Sequence, residues 1–350
     1  DVYKRQPFSN PILKGKEIQM EIWSGIDVSK KTFVASWVSS TVGLDDFQNI
    51  PYREFERCPE GVRQYCRWLR QQGEGPTGVV MEATGRYSLE LLVWLVKERP
   101  DLAPAIVNPR QAKHFHKGLG LRNKTDAVDA RSLGLMGCHQ KPRSYQSPPA
   151  EYRQLRELMR LRRDLVNIQT AEGQRLEELP EKAKGPLRIL RSHLKHLEKL
   201  LKRIDQQAHQ LLSTSPSLRR DLALLATIPG VGEVVSLTVL GELGDLRRFE
   251  RSRQVSAFSG LTPSNQASGT SKKSSHLDRN GIAELRSVLY MAAMSACYKA
   301  GDNHLARIHR QLLKRGKSKK QALTVVARKI LVIMRAMLIY EQPYIDDFTR

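Results

Sequence analysis

The sequence is poor in cysteine, in aromatic residues and in long apolar runs, and each shortage excludes a class of protein. The four cysteines are scattered with no Cys-x-x-Cys pair, so neither a disulfide framework nor a zinc ribbon is expected. No apolar run reaches the roughly 18 residues that a transmembrane helix needs, and residues 1–16 lack the apolar core of a signal peptide. These absences predict a cytoplasmic protein without a membrane partner.

Acidic residues are also scarce. The 350 residues include 58 Lys and Arg but only 36 Asp and Glu, which gives a net charge of +22. Because 40% of the residues are hydrophobic and 27% are charged, the chain is apolar enough to form folded cores, and its length allows two or three domains. The apolar content therefore predicts a folded protein, and the positive charge predicts that it binds a polyanion. The charge does not indicate which fold the protein has.

Residues 21–140 have the pattern of an α/β domain, whereas residues 1–20 fit no element and are interpreted as a tail. Two apolar runs at 22–26 and 32–38, joined by a short polar turn, predict a β-hairpin. Strands and helices then alternate, which predicts a mixed sheet with flanking helices. The predicted helices are 61–69, 89–96 and 125–135, and the further predicted strands are 78–81 and 103–107.

The second half of the chain has the pattern of an all-α protein. A Pro- and Ser-containing segment at 140–150 marks the boundary, after which residues 150–214 predict a coiled-coil helical arm and residues 215–345 a helical domain. The arm carries an unbroken series of apolar residues spaced alternately by three and four, which is typical of a coiled coil. The series is Leu187, Leu190, Leu194, Leu197, Leu201, Ile204, Ala208 and Leu211. The pattern fits both an internal two-helix hairpin and a coiled coil between chains.

Four acidic residues of the α/β domain have the spacing of a metal site. Asp27 and Glu82 end two predicted strands, while Asp126 and Asp129 lie three residues apart at the start of a predicted helix and share a face. Carboxylates are the ligands that Mg²⁺ prefers, and a pair of such ions assists attack and departure in phosphoryl transfer. Each acid alone is more often an ordinary surface residue, but the combination predicts a site for two Mg²⁺ ions.

Two segments are basic without any acid, which is typical of a surface that contacts phosphates. Residues 108–124 would place positive charge beside the predicted metal site, and His114 and His116 within them are interpreted as phosphate contacts or packing residues. Residues 303–340 contain ten Lys and Arg. The candidate nucleic-acid-binding residues are Arg110, Lys113, Lys117, Arg122 and Lys124 in the first segment and Lys314, Arg315, Lys319 and Lys320 in the second.

Two loops of the helical domain could also contact phosphates. Gly230 and Gly232 precede a predicted helix, where glycine lets the backbone N–H groups approach a phosphate as in a helix–hairpin–helix element, although a plain turn between packed helices has the same pattern. The loop at 264–275 combines serines and glycine with Lys272 and Lys273, which fits a nucleophile, a phosphate-binding loop or a plain flexible loop. Its composition does not choose among Ser264, Ser268, Ser271, Ser274 and Ser275.

Several motifs resemble those of a known family. GIDVSK (25–30), EATGRY (82–87), VNP (107–109) and GLRNKTDAVDAR (120–131) resemble the N-terminal RuvC-like domain of DEDD transposases. IPGVG (228–232), AFSGLTP (257–263), the pair at 268–269 and LRSVLYMAAM (285–294) resemble their C-terminal transposase domain. The family is the insertion-sequence one-ten family, whose recombinases use a structured bridge RNA to choose donor and target DNA. The motifs keep the family's order and cover nearly the whole chain after residue 20.

The resemblance implies a RuvC-like (RNase H-like) domain, a coiled-coil insertion and a helical transposase domain. Asp27, Glu82, Asp126 and Asp129 fall on the family's four acidic positions, and Ser268 falls on its catalytic serine. In that family the serine attacks a DNA phosphate and becomes linked to the cut strand, while the carboxylates hold Mg²⁺. The implied partners are donor and target DNA, a bridge RNA and further copies of the chain in a dimer or tetramer, in the nucleoid of a prokaryotic cell.

Two other functions fit parts of the sequence. A metal-only RuvC-like nuclease that resolves DNA junctions would use the four acids without Ser268. A non-enzymatic nucleic-acid-binding protein would use only the basic segments and the arm, so the four placed acids argue against it. Replacement of Ser268 by alanine separates the two enzymes.

Overall fold

The chain divides into two compact units, residues 1–146 and residues 147–350. The computed structural model describes residues 21–73, 75–102, 104–121, 123–265, 275–277 and 281–346. Each unit has hydrophobic core of its own, as independent domains do.

The first unit is a mixed β-sheet with helices on both faces. Its elements are β1 (Ile22–Val28), β2 (Thr32–Ser36), β3 (Val38–Ser39), β4 (Tyr52–Glu56), α1 (Pro59–Gln71), β5 (Gly78–Glu82), α2 (Arg86–Glu98), β6 (Pro104–Val107), α3 (Pro109–Gly118) and α4 (Asp126–Gln140). The strand order is β4-β2-β1-β5-β6, and β3 also pairs with β1. β1 runs antiparallel to β2 and parallel to β5, which in turn runs parallel to β6.

Alternate residues of β1 face opposite layers of helices, as the pleat of a strand requires. Ile26 and Val28 join the core that α1 and α2 form on one face. Trp23 joins the core on the other face, where Gly25 also meets α4. Asp27 continues this second series, so the strand directs its carboxylate towards the α4 side of the sheet.

Helix α4 lies very close to β1. A Cβ added at Gly25 would lie only 2.0 Å from the carbonyl oxygen of Ala130. The Ser36 hydroxyl donates a hydrogen bond of 2.8 Å to the same carbonyl oxygen. Further along α4, Gly137 meets the ring of Trp23. This order of contacts makes α4 antiparallel to β1 and places its first turn at the end of the strand.

The second unit consists of helices and one short strand pair. Its elements are α5 (Ala150–Glu178), α6 (Lys184–Thr214), α7 (Pro216–Leu225), α8 (Glu233–Leu243), α9 (Ser252–Phe258), β7 (Pro263–Asn265), β8 (Ser275–Leu277), α10 (Ala283–Tyr298), α11 (His304–Lys314) and α12 (Lys319–Tyr340). A single core joins the inner parts of α5 and α6 to the helices that follow.

Helices α5 and α6 form an antiparallel hairpin within the chain, since they are joined by residues 179–183 and pack along each other. The predicted apolar series lies on α6, where Leu197, Ile204 and Ala208 are buried. Arg162 of α5 donates a hydrogen bond of 2.8 Å to Asp205 of α6. The structure therefore has the internal hairpin, and association of arms between chains stays a prediction.

The predicted fold class is confirmed: a mixed sheet with helices is followed by a mainly helical part. The predicted β-hairpin is formed by β1 and β2, and the predicted helix at 125–135 is the beginning of α4. The sequence did not predict β4, α3 or the β7–β8 pair. No helix in the described ranges is long and apolar enough to cross a membrane.

Candidate active site

Asp27 and Glu82 lie side by side at the ends of two parallel strands. β1 and β5 pair in a register that sets Ile26 opposite Met81, so the next residues, Asp27 and Glu82, are neighbours on the same face. Both are half-buried. The predicted position of these two acids at strand ends is confirmed.

Asp126 and Asp129 occupy the first turn of α4. The helix begins after Thr125, whose hydroxyl accepts a hydrogen bond of 3.3 Å from the backbone N–H of Val128. Carboxylates in a first turn are stabilised by the positive end of the helix dipole. Because α4 runs antiparallel to β1, this turn lies at the end of β1 where Asp27 is.

The electrostatics of Asp27 show that the four acids act on one another. The pKa of Asp27 is raised to about 6, mainly by burial and then by the negative charges of Asp129, Asp126 and Glu82, in that order. Lys124 opposes this shift. The carboxylates therefore form one cluster in which like charges are held together.

The pKa values of two other members are raised as well. Burial is the main cause for both Glu82 and Asp129. The charge of Asp129 adds to the effect on Glu82, and the charge of Asp126 adds to the effect on Asp129. A cluster of partly desolvated carboxylates that repel one another gains stability from a bound cation.

Two basic residues next to the cluster come from the predicted phosphate-binding segment. The positive charge of Lys124 lowers the pKa of Glu82 and of Asp129, so it lies beside them. His116 on α3 places Nδ1 3.4 Å from Oδ1 of Asp129. His116 was predicted to contact phosphate or to pack, and only the packing of α3 on α4 reveals its contact with Asp129.

The donor set fits a hard divalent cation in its chemistry, because carboxylate oxygens are the ligands that Mg²⁺ prefers. The hydroxyl oxygen of Thr84, in the turn after Glu82, is buried and has no hydrogen-bond partner. As they stand, however, no three His, Cys, Asp or Glu side chains of the described ranges are close enough together to hold an ion. The metal site therefore stays a prediction.

The other predicted site residues divide into two groups. Ser268, Lys272, Lys273 and Arg122 lie outside the described residues. The described basic residues are exposed: Arg110, Lys113 and Lys117 on α3, Lys314 and Arg315 at the end of α11, and Lys319 and Lys320 at the start of α12.

Gly230 and Gly232 have different surroundings. Gly230 has a φ of +78°, and a Cβ there would lie 2.3 Å from the backbone nitrogen of Ala296 on α10. Close packing of α10 is therefore a sufficient reason for glycine at this position. Gly232 precedes α8 and faces open space, with no atom within 4 Å of an added Cβ. Of these two glycines, Gly232 is the one whose surroundings do not require the absence of a side chain.

Comparisons with known proteins give a consistent result. A family model for DEDD transposases of the IS110 type matches residues 24–183, and a model described as "Transposase IS116/IS110/IS902 family" matches residues 222–310. The pilin gene-inverting protein of Moraxella bovis is 28% identical over 326 residues, which cover 91% of this chain and 96% of that protein. The transposase for insertion sequence element IS1111A of Coxiella burnetii is 26% identical over 77% of this chain and 76% of its own length.

The four acids lie within the first matched range, and Ser268 lies within the second. The two models follow the same order along the chain as the motifs quoted above. The matches to the two family models and to the relatives together span nearly all of the chain. They show that the chain belongs to the IS110 family of insertion-sequence transposases.

Proposed function

We propose that this transposase cuts and rejoins DNA strands by phosphoryl transfer, with Asp27, Glu82, Asp126 and Asp129 as ligands for Mg²⁺ and Ser268 as the nucleophile. One observation supports the proposal: acids from β1, β5 and α4 act on one another at one edge of the sheet, where burial and their negative charges together raise the pKa of Asp27 to about 6. Structural ion pairs lower the pKa of a carboxyl, so this cluster is of the kind found at functional sites.

The role of each acid follows from its place. Asp27 and Glu82 are fixed by the paired strands, and the first turn of α4 holds the other two at the same edge. When bound, Mg²⁺ would make a hydroxyl a better nucleophile and neutralise charge that develops on the phosphate. Lys124, which lies beside the acids, would attract the DNA backbone to them.

The assignment of Ser268 rests on the GLTP motif and the serine that follows it after four residues. Its hydroxyl oxygen would form a bond to phosphorus while the bond from phosphorus to one deoxyribose oxygen breaks. The serine proton is given up in this step, and the departing oxygen gains a proton to become a hydroxyl. The phosphodiester is conserved in the link to serine, so the strand is rejoined by the reverse exchange with another hydroxyl.

The basic surfaces would hold DNA without reading its sequence, because lysine and arginine bind phosphates of any sequence. Lys319 and Lys320 begin α12 at the positive end of its dipole, where cations are unfavourable. That placement is explained if an anion binds between α11 and α12. Together with Lys314 and Arg315 they are proposed to contact DNA.

A guide RNA and an oligomer complete the proposal. The family resemblance supports a bridge RNA that selects donor and target DNA in the cytoplasm of a prokaryotic cell, and the net charge of +22 suits a second polyanion. Recovery of one specific RNA with the purified protein would support it, whereas only assorted host RNA would count against it. Exposed Ile189 and Leu161 on the arm favour self-association, and two DNAs need at least two active sites.

The test of the mechanism is a strand-exchange assay on plasmid DNA with Mg²⁺. Ser268→Ala is expected to abolish both exchange and the covalent protein–DNA adduct, while Ser271→Ala from the same loop serves as the control. Cleavage by Ser268→Ala at the full rate would indicate a metal-only nuclease. If Asp27→Ala left every activity unchanged, the protein would be a binder and not an enzyme.

A further inference from the structure

Helix α6 carries a continuous line of cations opposite its apolar series. The residues of this line, called here the basic face, are Lys184, Arg188, Arg191, Lys195, Lys199 and Lys202. Their steps of four, three, four, four and three keep them on one side of a helix, since residues three or four apart are neighbours. The face is about 27 Å long at the α-helical rise. The apolar series that packs against α5 occupies the other side.

The basic side chains of the two arm helices differ in whether they form ion pairs. Five of the six arginines of α5 pair with a carboxylate, among them Arg160 with Glu242 and Arg162 with Asp205. All six residues of the basic face are exposed, and none makes an ion pair or a side-chain hydrogen bond within the described ranges. Only two acids, Glu198 and Asp205, lie on α6.

This arrangement costs stability in the free protein. Lys184 and Arg188, Arg191 and Lys195, and Lys195 and Lys199 are like-charged pairs four residues apart, and such pairs destabilise a helix. Glu198 lies beside this line, three residues after Lys195 and four before Lys202, and relieves only part of the repulsion. An anionic partner along the helix removes the repulsion and accounts for the line.

We propose that the basic face of α6 is a docking track for the phosphate backbone of duplex DNA. The inference rests on the proposed function, because it assigns DNA as the polyanion. α6 contains no Phe, Tyr or Trp on which the bases of a single strand would stack. A track of this length spans about eight base pairs of duplex. Contacts of this kind are independent of DNA sequence.

The test measures DNA binding as a function of salt, which does not depend on cleavage. The full-length variant with Arg188, Arg191, Lys195 and Lys199 all changed to Gln is compared with a control of equal charge change on α1 and α2. The control changes Arg63, Arg67, Arg70 and Lys97 to Gln, all of which are exposed. The probe is a 40-base-pair DNA duplex of arbitrary sequence.

In the basic-face variant, the slope of the logarithm of the association constant against the logarithm of the salt concentration is expected to be shallower by about 2–4. Each lost phosphate contact reduces the magnitude of this slope by about 0.9. The control is expected to change the slope by less than about 1. Equal flattening in both variants would overturn the proposal in favour of net charge alone, as would an unchanged slope in the basic-face variant. If the basic-face variant lost affinity for an RNA duplex but not for the DNA duplex, RNA would be the occupant, and the proposal would also be overturned.

Unchanged circular dichroism and a cooperative melting transition establish that both variants are folded. The basic-face variant is expected to melt at or slightly above the temperature of the unsubstituted protein because it loses like-charge repulsion along α6. Cleavage by the unsubstituted protein is assayed in parallel. If that protein binds DNA through the basic face but cuts no strand under any condition, the proposed function fails while the track stands. If it cuts DNA and the slope is unchanged, only the track fails.

Discussion

At the scale of single residues, the acidic cluster is a place where the free protein bears an unfavourable charge. Asp27 is partly buried and surrounded by three other carboxylates, and these conditions hold its pKa at about 6. Burial of a carboxyl group without a bound cation favours its neutral, protonated form. Function and stability therefore make opposite demands on the same side chain.

Asp27→Asn is expected to abolish strand cleavage while raising the melting temperature in the absence of divalent cations. The amide keeps the shape of the side chain and removes one of the repelling charges, so the gain near pH 8 is about 1–2 kcal/mol after allowance for solvent screening. Calorimetry and the cleavage assay check the two halves. Asp45→Asn, at an exposed acid of the same unit, is the control for charge alone. A lower melting temperature in Asp27→Asn would contradict the account of the cluster.

The pH dependence of this gain has a definite sign. The folded-state pKa of Asp27, about 6, lies above the value near 3.9 of an unfolded chain, so the folded protein binds the proton more tightly. The stability that the protonated Asp27 contributes to the folded protein is fully present below about pH 4, and it is lost as the pH rises through about 6. The melting temperature of Asp27→Asn relative to the unsubstituted protein is therefore expected to rise from pH 4 to pH 8. A difference that is constant over this range would show that Asp27 is not perturbed.

At the scale of elements, the contact of α4 with β1 positions the site. Two of the four acids lie on the helix and a third on the strand, and the two elements meet through backbone at Gly25 and Ala130. Arg131 fixes the other side of α4, where its guanidinium donates hydrogen bonds to the carbonyl oxygens of Ile50 and Gln48. A shift of the helix by the width of a methyl group would displace Asp126 and Asp129 from Asp27.

Gly25→Ala is expected to destabilise the first unit by about 2–3 kcal/mol and to reduce cleavage even at temperatures where the protein is folded. The new Cβ would lie 2.0 Å from the oxygen of Ala130 and 2.2 Å from the nitrogen of Gly134, and neither backbone atom moves without the helix. Denaturant titration and the cleavage assay measure the two effects. Gly43→Ala is the matched control, because a Cβ there meets nothing within 4 Å. Near-normal activity in folded Gly25→Ala would show that α4 tolerates displacement.

An ion pair between an exposed arginine of α5 and a buried glutamate of α8 stabilises the second unit. Arg160 donates hydrogen bonds of 2.6 and 2.8 Å to the two oxygens of Glu242, whose side chain is only 2% exposed. Arg160→Leu is expected to cost about 1–3 kcal/mol because the buried carboxylate loses its hydrogen-bond donor. Urea unfolding checks this value, and the double variant with Glu242→Leu is expected to recover part of the loss. Arg63→Leu, from an exposed pair with Glu60, should cost less than about 1 kcal/mol.

The elements that the sequence did not predict share a physical cause. β4 has the pattern Tyr-Arg-Glu-Phe-Glu with only Phe55 buried, so an edge strand with a mostly solvent-facing surface leaves almost no apolar periodicity. α3 is short and basic, with Ala112 as its single buried residue, although Asn108 and Pro109 are a helix start signal. The strand-end acids were predictable because parallel strands have buried apolar runs that stop at a polar residue. The contact of His116 with Asp129 needed the packing of α3 on α4.

At the scale of the whole molecule, the charge is distributed unevenly between the two units. Residues 1–146 contain 22 basic and 16 acidic residues, whereas residues 147–350 contain 36 basic and 20 acidic residues. The acidic cluster lies in the less basic unit, and the basic face of α6 and the α11–α12 surface lie in the other. The proposed DNA-binding surfaces and the proposed metal ligands thus lie largely in different units.

Separate expression of residues 21–146 and 147–350 is expected to divide these properties. Each unit has a core of its own, so each fragment should fold with a cooperative melting transition. The second fragment should retain most of the salt-dependent affinity for duplex DNA, because the slope counts phosphate contacts and its excess of basic residues is the larger. The first should bind DNA weakly, and neither should cut it alone, since Ser268 and the four acids lie on different fragments.

Circular dichroism, binding at several salt concentrations and the cleavage assay check the three expectations. Strand cleavage by the first fragment alone would show that the carboxylates act without Ser268, and tight DNA binding by that fragment would show that net charge is a poor guide to where DNA lies on this protein.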